Sequence, residues 1–164
     1  MSVIDFACTK CGYCCRNLLN DEFGITQGLS LTEIEINLFD PTFVKPNMAL
    51  GNQTTRNVIT YQLNQAVCQH IDESNNCKIY DKRPLVCQSY PVEVTVRGGI
   101  VRADCPQSFS IPNDGTALTE AGLIFNQYLK EKFNQFWDKG SILWFFDLST
   151  NKWTIIPDTF SGVR

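Results

Sequence analysis

Eight cysteines lie in the first 105 residues of this 164-residue chain: Cys8, Cys11, Cys14, Cys15, Cys68, Cys77, Cys87 and Cys105. Half of them crowd into the stretch "CTKCGYCC". Deprotonated thiols are soft ligands that suit zinc and iron–sulfur clusters. Cys8, Cys11 and Cys14 are each three positions apart, so one loop can curl their thiolates around one object. A single zinc usually draws two ligands from such a knuckle and two from elsewhere. Three in succession better match a cubane cluster, whose separate irons each take a thiolate, and the bacterial ferredoxin run C-x2-C-x2-C uses this spacing. The Cys-Pro pair that closes that run has a remote counterpart here in Cys105-Pro106. In two-cluster ferredoxins, however, that fourth cysteine serves the other cluster.

Cys15 sharpens the question. On an extended segment successive side chains diverge, so Cys14 and Cys15 are expected at two different sites. The eight thiols then divide into Cys8, Cys11, Cys14 and Cys105 on one site and Cys15, Cys68, Cys77 and Cys87 on the other. Exchanges among the remote cysteines, or a single cluster beside free substrate-reactive thiols, remain open readings. Four thiolates leave a zinc or an oxidised four-iron cluster negatively charged, so nearby donors and cations would tune it. Lys10, Arg16, Lys78, Arg83 and Arg102 all lie near a cysteine in sequence, with solvated surface charge as the bland alternative. Arg83 and Arg102 are the candidates for holding a substrate carboxylate. His70, the sole histidine, could ligate metal or move protons, but a lone turn histidine more often does neither. Tyr80 and Tyr90 are expected to pack around the sulfur-rich region.

An even cysteine count also allows a disulfide framework. The chain is large enough to bury a core without bridges. The start "MSVIDFAC" shows neither a basic nor an apolar leader region, so a reducing, cytoplasmic setting is the expectation. Abundant Asn and Gln argue against a hyperthermophilic exception. Charged residues make up 19% and the net charge is −3, which gives no reason to expect a nucleic-acid surface. The longest apolar run near the C-terminus, "ILWFF", is far too short to span a membrane.

The elements that must position these thiols are an α+β set. "SLTEIEINLFDP" at 30–41 reads as a short helix with a Ser30/Glu33 capping box. Residues 45–57 read as a polar loop and 58–68 as a strand leading into Cys68. A polar turn at 70–77 precedes a helical turn around Pro84–Gln88. "VEVTVRGGIVRAD" predicts a β-hairpin turning on Gly98 and Gly99. Leu118, Ala121, Phe125, Leu129, Phe133 and Trp137 recur at helical spacing within a long helix over 116–140 that Gly140 ends. A terminal hairpin turns near Ser149–Asn151. The organisation expected is a metal-binding region over 1–107, with the helix and hairpin of 108–164 packing on it in a single compact domain.

"CTKCGYCC", the isolated Cys68, "CKIYDKRPLVCQSYP" and the final "CP" together resemble the CxxCxxCC family of zinc- or iron-chelating domain proteins. That family includes the cysteine-rich part of flagellin lysine N-methylases and small proteins labelled iron–sulfur oxidoreductases. The resemblance spans about residues 5–107 and takes in Tyr80, Arg83, Pro84, Tyr90 and Pro91. Gln88 departs from it, since family members often carry Arg after that cysteine. The resemblance implies a metal site and suggests, through its methylase members, S-adenosylmethionine as a possible cofactor. The chain shows neither a G-x-G-x-x-G turn nor the C-x3-C-x2-C spacing of radical enzymes.

Three readings compete. The first is an iron–sulfur protein with one or two [4Fe-4S] clusters, in electron transfer or methyl transfer, acting on a redox partner or protein substrate. The second is a binding module stabilised by four-cysteine Zn2+ sites. The third is a disulfide or free-thiol protein.

Overall fold

The computed structural model describes residues 2–95 and 98–156. In chain order its elements are β1 (Ser2–Val3), α1 (Tyr13–Arg16), β2 (Leu29–Leu31), β3 (Val44–Gly51), β4 (Arg56–Leu63), α2 (Leu85–Ser89), β5 (Val92–Thr95), β6 (Gly98–Val101), β7 (Ala117–Leu118), α3 (Glu120–Phe136), β8 (Ile142–Asp147) and β9 (Lys152–Thr154). The α+β class expected from sequence is the class observed. The chain forms two compact units. One comprises Met1–Asn17 and Val67–Gln127, the other Leu18–Ala66 and Tyr128–Arg164.

The second unit is built on a five-stranded antiparallel sheet of order β2-β4-β3-β8-β9. β4 is buried on both faces from Ile59 onward, with Ile59 and Leu63 on one side and Thr60 and Gln62 on the other. Each fully buried Leu or Ile contributes about 1.5–3 kcal/mol. Gln62 is tolerated there because all its polar atoms are engaged. Its amide donates to the carbonyls of Pro46 (2.8 Å) and Phe146 (2.9 Å), and its Oε1 accepts from Gly28 N (2.8 Å).

Residues 45–57, expected as a loop, instead form β3, the turn and the start of β4. Their polar composition hid a two-sided central strand. Pro46 fits because the register shifts between Pro46 and Met48, and the displaced Met48 N–H finds the Thr60 hydroxyl at 3.2 Å. Asn52 makes the turn, its Oδ1 accepting from Thr54 N and Thr55 N.

The helix expected at 30–41 is also corrected. Leu29–Leu31 pair with β4, and only a four-residue 3-10 turn, Glu35–Leu38, follows. The expected Ser30/Glu33 capping box is absent; Thr32 N instead donates to Glu35 Oε2 at 2.7 Å. Burial of Leu31 on the sheet outweighs the local helical signal. Ser30 is the acceptor for Asn47 Nδ2, and Glu33 pairs with Lys132 of α3 at 2.8 Å.

The first unit holds a smaller core of Val92, Val101, Ile111 and Ala117, with Ile4, Phe6 and Val94 against it. The β5–β6 hairpin is present, but Gly98 and Gly99 lie within β6, paired with Thr95 and Val94. The residues between the strands lie outside those described. A Cβ on Gly98 would meet the Gly115 carbonyl, and one on Gly99 the Ala117 carbonyl. Gly98 has the positive φ expected of it, 119°, and both glycines also admit a neighbouring backbone. β7 pairs in parallel with β1, which holds Ala117 and Leu118 out of the helix expected to begin at 116. Thr119 then caps α3 through Gly122 N at 3.1 Å. The helix ends at Phe136, short of Gly140, and Trp137 is exposed. The terminal β8–β9 hairpin turns where expected. Among the described residues, no helix is long and apolar enough to cross a membrane.

Candidate metal centre

All eight cysteines belong to the first unit, and all are free. The disulfide alternative therefore finds no bond among them. The segment between Cys15 and Cys68 leaves that unit and returns.

Two left-handed residues curl the N-terminal run, Lys10 at φ 59° and Gly12 at φ 77°. The Lys10 N–H points at Cys8 Sγ, 3.3 Å away. Gly12 opens the single helical turn α1, closed by Arg16 N donating to Gly12 O at 3.1 Å. Cys14 and Cys15 therefore sit on a helical turn, and the extended geometry that would send them apart is absent. Their sulfurs face one another at 4.0 Å. That removes the sequence argument for placing them at separate sites. A tetrahedral four-thiolate zinc with bonds of about 2.3 Å has sulfur–sulfur edges of about 3.8 Å.

Cys68 returns beside Cys15, its N–H donating to Cys15 O at 2.8 Å. The His70 N–H lies 3.5 Å from Cys68 Sγ, so His70 contributes its backbone to a thiol. A bridge between Ile71 and Cys77 closes the turn that carries Cys77. α2 carries Cys87, and Cys105, the most buried thiol, lies past the β5–β6 hairpin.

Several of the thiols stand within one another's electrostatic reach. Burial, followed by the charges of Cys68 and Cys15 and, more weakly, Cys77, pushes the Cys87 thiol well up. Burial likewise raises Cys68, with Cys15 and Cys77 adding to it. Cys15, Cys68, Cys77 and Cys87 thus stand within charge range of one another. Cys14 is pushed far up, first by the hydrogen bond with Cys15 and by burial, then by the charges of Cys15, Cys87 and Cys8. Cys15 is the counterpart. Its bond from Cys14, helped by Arg83 and Arg16 and opposed by burial, brings it down to about 7. The charges of Cys15 and Cys87 reach Cys14 as well, so Cys14 belongs to the same neighbourhood.

Of the tyrosine and arginine candidates, Arg83 and Tyr90 stand within charge range of thiols. Arg83 lies over the Tyr80 ring at 3.7 Å and donates from Nε to Tyr80 O at 2.8 Å. Gln88 donates its amide to the Arg83 carbonyl, so the residue that departs from the family pattern fixes the arginine's backbone. Tyr90 donates to Asp104, and burial and that carboxylate push its phenol well up, with the charges of Cys14 and Cys105 adding. Arg102 leans toward Glu93 at 3.9 Å. The role of Asp104 was not visible from sequence, and no local pattern links it to Tyr90.

The donor set fits a thiophilic metal: eight unbridged thiols in one unit, with arginines beside the most acidic one. Among the described residues no three His, Cys, Asp or Glu side chains yet stand in ligand geometry.

A cysteine-rich α+β protein with its thiols gathered in one unit is the class that fold and site define. Residues 7–106 match the family model CxxCxxCC, described as "Putative zinc- or iron-chelating domain". The match covers more than half of the chain, which belongs to the CxxCxxCC family. No curated protein and no solved structure matches it significantly.

Proposed function

We propose that the first unit is an iron–sulfur centre of the [4Fe-4S] type, serving electron transfer in the cytoplasm with a protein redox partner. The observation that carries the reading is the gathering of thiols from four separated segments into one unit, led by the C-x2-C-x2-C run. Cys15, Cys68, Cys77 and Cys87 would form one ligand group, and Cys8, Cys11, Cys14 and Cys105 the other. When bound, such a cluster supplies a one-electron redox couple. This chain's own residues set its surroundings. Arg83 and Arg16 place positive charge beside Cys15, which favours the thiolate and offsets cluster charge. Tyr80 holds the Arg83 guanidinium in place, and the backbone N–H groups of Lys10 and His70 point at sulfur.

One observation favours a second reading, a structural zinc protein. The 4.0 Å between the Cys14 and Cys15 sulfurs approximates one edge of a zinc–thiolate tetrahedron, whereas cubane corners lie farther apart. Iron, zinc and acid-labile sulfide measured on anaerobically purified protein separate the two. Iron with matching sulfide supports the cluster. Zinc without sulfide, unchanged after anaerobic reconstitution with iron and sulfide, rejects it in favour of zinc.

A further inference from the structure

Cys68 and Cys77 begin and end one short segment, and the tip of that segment is plugged into the cysteine run. Arg16, directly after Cys15, donates from Nε (3.2 Å) and Nη2 (3.1 Å) to Asn75 Oδ1, and from Nη2 to Asp72 O (3.2 Å). Asn75 donates back from Nδ2 to Cys11 O at 3.3 Å. Its own backbone is left-handed at φ 61°, a conformation Asn tolerates. Asp72 fixes the turn from within, its Oδ1 accepting from Ser74 N (2.9 Å) and Asn76 N (2.8 Å). Gly12 completes the socket, because a Cβ there would run into the Asn75 side chain. At the other end Cys68 N is bonded to Cys15 O. None of these contacts uses a thiol.

We infer that Arg16 and Asn75 are positioning residues that lock the Cys68–Cys77 segment onto the Cys11–Cys15 run without help from a metal, so that a metal has only to draw in the side chains of Cys15, Cys68 and Cys77. The inference rests on the metal-centre reading above. Its physical basis is entropic. A ligand loop already closed by hydrogen bonds need not be ordered by the metal, so more of the coordination energy appears as affinity.

The test uses the full chain and Zn2+ alone as probe. Asn75→Gly deletes the side-chain bonds while suiting the left-handed backbone, and Arg16→Lys keeps the charge but not the fork. Hydrogen exchange of residues 69–77 is followed in metal-free protein, and zinc affinity by chelator competition. Both variants are expected to speed exchange in that segment and to weaken zinc binding by about ten- to hundredfold. Wild-type exchange rates in both variants would overturn the inference. So would full affinity in Arg16→Lys, which would reduce Arg16 to a charge. A wild-type chain that binds no zinc and no iron would defeat the metal reading instead, and exchange in the metal-free variants would still decide the clamp.

Discussion

Cys14 and Cys15 are neighbours in sequence with opposite acid–base characters. Cys14 donates to Cys15, so the proton stays on Cys14 while Cys15 ionises near 7, with Arg83 and Arg16 adding to the effect. The sign is that of a depressed acid: below about 7 Cys15 is a thiol, and above it a thiolate. In metal-free protein, alkylation mapped by mass spectrometry should therefore find Cys15 accelerating through that pH, with Cys14 and Cys87 slow. A rate for Cys15 that rises only around the ordinary thiol value of about 8.5 would contradict this. The candidate ligands were the most conspicuous feature of the sequence, because cysteine is rare and its spacing has chemical meaning. Their partners were not. Asn75 was visible only as part of a polar turn, and nothing in its neighbours announces that its amide meets Cys11 and Arg16.

At the scale of elements, buried polar side chains tie strands and helices together. Gln62 bridges β3, β8 and the residue leading into β2 from a fully buried position in β4. Gln62→Leu leaves those backbone groups unpaired, and urea unfolding should show a loss of at least about 2 kcal/mol. Thr119→Ala removes the α3 cap and a buried partner of Ser89, and the same measurement should show about 1–2 kcal/mol. Elements with one strong local signal were legible: β4 from its β-branched residues, α3 from its helical spacing, and the terminal hairpin from its turn. Those decided by tertiary pairing were not. β3 carries Pro46 and Asn47 in a central strand, which only the bulge and the Gln62 and Thr60 bonds make acceptable. The capping box expected at 30–33 does not form, because β2 claims Ser30 and Glu33 pairs with Lys132.

At the scale of the whole molecule, the two units differ in what holds them. The sheet unit buries Leu31, Leu50, Ile59 and Leu63 completely, and no cysteine lies in it. The cysteine-bearing unit has a small core and long irregular connections around its thiols. Binding energy for a metal held by those connections is folding energy for that unit. Chelation should therefore speed hydrogen exchange in residues 80–88, outside the hydrogen-bonded 68–77 segment, while β3 and β4 stay protected. Equal loss of protection in both units would count against separate stabilisation. The sequence does not announce this arrangement, since composition changes little where the chain passes between units at residues 17–18, 66–67 and 127–128.

The central claim is that sulfur atoms from distant segments hold a metal, and X-ray absorption at the metal edge of protein isolated without air tests it most directly. The expected result, for iron or zinc alike, is a shell made of sulfur at about 2.3 Å. A shell of nitrogen and oxygen, or a protein that carries neither metal even after reconstitution, would contradict it.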